Sequence, residues 1–339
     1  MIHNKFILPI GYRVHYISQN RIWTSYKNNI LVSEDEGTTF VKYKSFHSVF
    51  SNLFQNSRLC TRLIRGGIHE LINTNSSLIT VIPYYIIRAT NSNDFEIVHR
   101  FKNGTRPLNI LQTPDNFLYF GEYFNNTGRQ EVCIYGSYDE GKTWSIVYTF
   151  PKNTIRHIHK LIYDPFRKGI LILTGDEDHE SSILLTKDNF KTIETIISGN
   201  QDARAVSLIP IQQGLIIPTD TPLKQNYIQH FDFTSEKLTK LCEIPGSSFY
   251  SISFGGKYFV STGVEPSKVN ISPYATLWGS TNGFDWQLLF KAKKDKWDPH
   301  LFQYGNIILP RYESDSKYLF STMIGLECYD NKTIRWKLL

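Results

Sequence analysis

Short apolar runs separated by polar punctuation recur along the chain, each too brief for a helix of ordinary length. The clearest set covers residues 157–163, 169–174, 182–186 and 191–197, with Pro165, Gly175 and Asp188 between the runs. Runs of this size bounded by turn residues predict four strands joined by tight connections. The next interval repeats the order at 205–211, 215–218, 227–233 and 237–244. No interval carries an apolar pattern of helical period long enough to predict a helix. Aromatic residues make up 14% of the chain, an enrichment that favours strands.

Two segments within this pattern are nearly identical. Ser33-Glu34-Asp35-Glu36-Gly37-Thr38-Thr39-Phe40 and Ser137-Tyr138-Asp139-Glu140-Gly141-Lys142-Thr143-Trp144 both read S-x-D-x-G-x-T-aromatic. The string has the chemistry of a hairpin turn: Asp caps backbone N–H groups, Gly supplies a positive φ, and the aromatic packs between neighbouring sheets. Looser copies run from Thr186 to Thr192 and from Ser280 to Trp286, with eroded ones at Thr90 to Phe95, around Asp232 and at Tyr329-Asp330-Asn331. From Asp139 the anchors Asp188, Asp232, Asn282 and Asp330 follow at intervals of 49, 44, 50 and 48 residues. A chain of 339 residues holds seven such intervals, each the size of one four-stranded blade. The pattern predicts an all-β fold, a seven-bladed β-propeller of four-stranded antiparallel blades, with six blades as the alternative. Residues 1–339 would form a single propeller domain.

The boxes at Ser33 to Phe40 and Ser137 to Trp144 resemble the Asp-box (BNR) repeat of sialidases and related propellers. The resemblance spans the chain as periodicity, with two full boxes and two partial ones, and it speaks to fold because the box lies on the outer rim. Sialidases usually have six blades. A count of seven is also similar to some polysaccharide lyases, xyloglucanase-type hydrolases and a photosystem assembly factor.

Charge and composition narrow the function classes. The net charge of +6 is modest, and Lys and Arg are scattered, so no nucleic-acid partner is expected. No apolar run approaches the length of a membrane span, and no membrane partner is expected. Cys60, Cys133, Cys242 and Cys328 lie far apart without a C-x-x-C pair, which predicts buried free thiols. The first thirteen residues lack an apolar signal core, which places the sequence as it stands in the cytoplasm, or in a secreted or periplasmic setting if a signal peptide has been removed.

In a propeller the ends of second strands and the beginnings of first strands share one face, so residues at those points are the candidates for a pocket. Second-strand ends offer Glu122 and Tyr123, Asp176, Asp220, Glu265 and Arg311; first-strand beginnings offer Arg65, Arg156 with His157 and His159, Arg204 and His300, followed by Gln303 and Tyr304. Strand-end carboxylates commonly cap turns, and Arg204 and Arg311 have Asp202 and Glu313 close by as structural ion-pair partners. His157 and His159 alternate along one strand and point to one side, and His suits acid/base work near neutral pH.

The catalytic candidates are Asp176, His157, His159, Glu122, Tyr123 and Glu265. The substrate-binding candidates are Arg65, Arg204, Asp220, Arg311, His300, Gln303 and Tyr304. No metal or other cofactor is expected: Asp176-Glu177-Asp178-His179-Glu180 offers oxygen donors suited to Ca²⁺ but lacks an EF-hand glycine and spacing, and His157-x-His159 lacks an identifiable third zinc ligand.

Carboxylates, arginines, histidines and tyrosines on one rim suit a hydroxylated anionic ligand, an acidic oligosaccharide or polysaccharide. The resemblance implies an enzyme that cleaves a glycosidic bond in such a glycan. A hydrolase needs two carboxyl groups of different protonation, with Asp176 and Glu122, Asp220 or Glu265 as the pairs. A lyase needs a neutralised carboxylate with a base and an acid, for which His157 or His159, Tyr123 and Arg204 are the set. The alternative is a non-catalytic propeller that binds glycan or protein on the same face.

Overall fold

Turn chemistry shapes this chain before packing does. Four turns share one bonding pattern, in which the first hydroxyl accepts from a backbone N–H within the turn: Gly37 N to Ser33 Oγ 2.9 Å, Gly141 N to Ser137 Oγ 2.9 Å, Phe190 N to Thr186 Oγ1 3.0 Å and Gly283 N to Ser280 Oγ 2.8 Å. In three of them the Asp carboxylate accepts from the N–H and hydroxyl of a Thr four residues on, as in Thr143 N to Asp139 at 2.9 Å and Thr143 Oγ1 at 2.6 Å. Gly141 takes φ of 78° where an added Cβ would stand 2.4 Å from Ile79, whereas the third turn forces Phe190 into the same left-handed region at 66°. Trp144 then lies 5.2 Å from the Phe120 ring and 6.3 Å from that of His99, between two sheets.

The Asp139 carboxyl sits below its ordinary pKa because its hydrogen bonds, from Thr143 foremost, outweigh the partial burial that raises it. Asp139→Ala is expected to cost about 1 kcal/mol or less, the usual worth of such bonds on an exposed turn. The folded value is the lower one, so the contribution is present at neutral pH and is lost as pH falls below about 4. Urea titrations of both proteins at neutral and acid pH, with the difference vanishing in acid, check this.

The computed structural model describes residues 1–18, 21–46, 57–299 and 301–339. Among them are seven sheets, six of four strands and one with a fifth. The fold is all-β, a seven-bladed β-propeller of four-stranded antiparallel blades. By contacts the chain divides into two units, His69–Gln212 and Met1–Ile68 with Gln213–Leu339.

The His69–Gln212 unit holds three blades whose strands pair in chain order. The last runs His157–Asp164, Gly169–Gly175, Ser182–Thr186 and Glu194–Ser198. Its second strand is buried throughout, because both of its faces are covered: Ile170 and Ile172 pack with Leu161, Ile158 and the Tyr119 and Ile134 side chains of the preceding blade. The run at 205–211, read from the sequence as a full strand, forms only Ile209–Pro210. The residues just before it are drawn into loop bonds, Ala203 N to Asn200 O and Arg204 N to Gln201 O, and the run's first residues join no ladder.

In the other unit the N-terminal strand Ile2–Ile7 pairs antiparallel with Lys332–Leu338 and completes the blade of Asn306–Ile308 and Tyr318–Ile324. Leu8 N to Thr333 O and Gly11 N to Asn331 O extend the seam. A helix, Arg58–Leu63, was not predicted; six residues are too few to show a period. It is held by charge: Arg58 grips Asp330 at 2.7 and 2.6 Å, and the fully buried Arg62 pairs with Asp295 and lies 4.5 Å from the Trp297 ring. Asp330 thereby serves the helix and the Gly325 N–H, not a box turn. All four cysteines are free, but none is fully buried and Cys328 is exposed, which corrects the expectation of buried thiols. No helix of the described residues is long and apolar enough to cross a membrane.

Candidate functional site

The antiparallel hairpin of His157–Asp164 and Gly169–Gly175 sets His157 opposite Gly175, so the next residue, Asp176, emerges beside the histidines. His159, two residues on, faces the same side as His157, with ring centroids 5.0 Å apart, and the ladder shifts register between Ile158 and Lys160. Gly175 has to lack a side chain here, since a Cβ would stand 2.6 Å from His159 Cε1.

Backbone carbonyls fix the two imidazoles. His157 Nδ1 lies 3.1 Å from Phe124 O and His159 Nδ1 lies 2.9 Å from Ala205 O. A carbonyl oxygen only accepts, so both Nδ1 atoms carry hydrogen and donate. The Nε2 atoms converge on Asp176 Oδ1, at 3.2 Å for His159 and 3.4 Å for His157, the latter without hydrogen-bond alignment. Both rings are almost wholly buried, at 4% and 3% exposure.

Arginines complete the surroundings of Asp176. Arg204 Nη2 stands 3.2 Å from Oδ1 and its Nη1 donates to the Asp176 carbonyl at 3.1 Å; Arg156 Nη1 donates to Oδ2 at 3.1 Å and its Nη2 to Asn125 Oδ1 at 2.9 Å. Burial by itself raises the Asp176 pKa, but the two imidazoles and Arg204 overcome it and hold the carboxyl well below the carboxylate range. Burial pushes His159 down, only partly opposed by Asp176. Asp176 is therefore a fixed anion among four basic side chains. Tyr123 lies against His157, centroids 4.3 Å apart, and borders a hollow that also takes in Lys102, Asn103, Arg106 and Glu122.

The structure thus brings Asp176, His157, His159, Arg204 and Tyr123 together, along with Arg156. Glu122 is buried nearby, but Cys133 N at 2.8 Å and Asn103 Nδ2 at 3.0 Å engage its two oxygens. The acidic run does not gather into one cage: Asp178 accepts from Gln201 Nε2, and Glu180 pairs with Arg129.

In the other unit, Tyr304 has Glu265, Arg65 and Asp220 as its charged neighbours; burial raises its phenol, Glu265 adds to the rise and Arg65 opposes it. Ser247 Oγ donates to Glu265 at 2.9 Å. Arg311 pairs with Glu313 at 2.9 Å and covers the Tyr16 ring, as a structural pair would. Gln303 offers its backbone carbonyl to Arg62 at 3.1 Å. His300 lies outside the described residues. The signal sequence reasoning missed is the hairpin register itself: pairing His157 with Gly175 puts Asp176 within reach of both histidines.

No family model and no curated protein matches the chain. Among solved structures, it is similar to a catalytically inactive His-to-Ala variant of virginiamycin B lyase from Staphylococcus aureus with quinupristin, at 11% identity over 99% of both chains and a TM-score of 0.60. It is also similar to YCF48 from Cyanidioschyzon merolae, at 12% identity over 98% of both chains and 0.59. The Pan2 WD40 domain of Neurospora crassa matches at 9% identity over 97% of this chain and 89% of that one, at 0.55. At these identities the likeness is one of fold.

Proposed function

We propose that this chain is a carbohydrate-active lyase, of the Asp-box, sialidase-like propeller kind, acting on an acidic oligosaccharide or polysaccharide at the Asp176 cluster. One observation carries the reading: a single ionised carboxylate orders two guanidiniums and two imidazoles at one spot, beside a tyrosine. Hydrolysis by an Asp176–Glu122 pair fits less well, because a glycosidase needs a carboxyl that keeps its proton. Asp176 is held ionised, and the Glu122 oxygens are taken up by Cys133 N and Asn103.

An elimination needs no such acid. Arg204 and Arg156 neutralise the sugar carboxylate, which acidifies the adjacent C–H. Tyr123 exchanges protons with the sugar. Tyr123, as its phenolate, takes the C–H proton, the C–O bond at the β carbon breaks as a double bond forms, and the same phenol gives its proton to the leaving oxygen. The bonding pattern shared by four turns supports the Asp-box relationship, and the solved propellers similar to this chain include a virginiamycin B lyase and a streptogramin B lyase.

The low exposure of both imidazoles favours a second reading, a propeller that binds acidic glycan without cleaving it. A panel of uronate-containing glycans, followed by the ultraviolet absorbance of the new conjugated double bond, separates the two. Arg204→Gln is expected to lower kcat/KM by about 100-fold or more, as loss of one charge-stabilising donor does. Binding without absorbance change moves the assignment to the second reading, and no binding of any acidic glycan refutes both.

A further inference from the structure

We infer that His157, His159 and Asp176 form a binding site for one divalent transition-metal ion of the zinc class. One possible ligand atom from each of His157, His159 and Asp176 lies within 4.8 Å of the other two. Tetrahedral ligands at 2.0–2.1 Å from zinc stand roughly 3.3–3.4 Å apart. The observed separations from Asp176 Oδ1, 3.2 Å and 3.4 Å, match that spacing.

The tautomers fit as well. Phe124 O and Ala205 O take the Nδ1 hydrogens, leaving each Nε2 to offer a lone pair, the arrangement that outer-shell carbonyls impose on metal-binding histidines. With both Nδ1 hydrogens committed, either a second ring proton or a metal ion has to stand between each Nε2 and Asp176, and an ion takes the place of the proton. His157 Nε2 is buried and makes no hydrogen bond, so it is the atom that most needs such a partner. Two imidazoles and one carboxylate select zinc, cobalt or nickel over magnesium or calcium. They also leave a fourth position open, as in zinc sites where a further ligand enters.

Arg156 and Arg204 bring positive charge against the ion and weaken its hold. An anion entering the fourth position relieves that repulsion, so ion and anionic ligand strengthen each other's binding by equal factors. The ion site stands on the geometry alone; its role in receiving the carboxylate of an acidic glycan rests on the lyase reading above.

The test uses the full chain stripped with a chelator and titrated with Co²⁺. The expected result is one equivalent bound with the intense visible bands of a tetrahedral site, displaced by Zn²⁺. The bands disappear in His157→Gln and Asp176→Asn and persist in His179→Gln, an exposed histidine of the neighbouring acidic run, with circular dichroism checking each fold. A wild-type protein that gives no bands, or bands that survive in both site variants, overturns the proposal. Ion uptake without turnover of any acidic glycan supports the ion site and counts against the lyase. Turnover by chelator-treated protein that takes up no ion overturns the ion site and leaves the lyase standing.

Discussion

Asp176→Ala is expected to lower stability by roughly 3 kcal/mol and to reduce turnover of an acidic glycan by at least about 100-fold. The stability figure is at the low end for breaking a buried charge pair from one side. It is not higher because Arg156 and Arg204 keep 25% and 12% side-chain exposure and regain some hydration. The loss falls on several groups at once: both guanidiniums lose their anchor, and the two Nε2 atoms are left facing each other. Anion binding weakens less than turnover, because the removed charge also repels the ligand. Asp176→Asn keeps the shape and an acceptor oxygen, so it should recover part of the stability and little of the turnover. Denaturant titration with steady-state kinetics of both variants checks the pattern; equal stability loss in the Asn and Ala variants would show that the charge alone, and not the shape or the acceptor oxygen, holds this corner.

Gly214→Ala is the larger structural lesion. Gly214 lies opposite Asp232 in the hairpin of Gly214–Pro218 and Asn226–Asp232. An added Cβ would stand 1.8 Å from Phe231 O and 2.8 Å from His230 Nε2. The first neighbour is backbone, which a rotamer change cannot move, so the ladder has to open at its first pair. A loss of at least about 3 kcal/mol is expected, in the class of backbone and overpacking effects. Gly128→Ala is the control: its Cβ meets only the end of the Gln130 side chain, at 3.4 Å, and a change within about 0.5 kcal/mol is expected. Thermal unfolding of the two variants side by side measures the difference.

The blades were legible in the sequence because their information is local. A box such as Ser137 to Trp144 fixes its own turn through bonds spanning two to four residues, and apolar runs such as 169–174 match the buried strand Gly169–Gly175 within a residue. What the sequence concealed is held by distant partners. The helix Arg58–Leu63 depends on Asp330 and Asp295, more than 230 positions away, and its N-cap Ser57 is too common a residue to announce it. The candidate site lies between these cases. His157, His159, Asp176 and Arg204 were individually visible, and their mutual arrangement needed only a hairpin register. The carbonyls of Phe124 and Ala205 that set the ring tautomers could not be foreseen, since any backbone oxygen has the same chemistry.

The seam between Ile2–Ile7 and Lys332–Leu338 joins strands that are far apart in the order of synthesis. Residues 2–7 are synthesised about 330 positions before their partners, so their hydrogen bonds wait an interval of roughly 15–65 s at ordinary rates of synthesis. Through that time the strand Ile2–Ile7 has an unsatisfied edge, the kind that recruits stray chains. His3, Asn4 and Lys5 within it carry the polar side chains that make such recruitment unfavourable, so solubility during synthesis is written into the same six residues that later close the final blade.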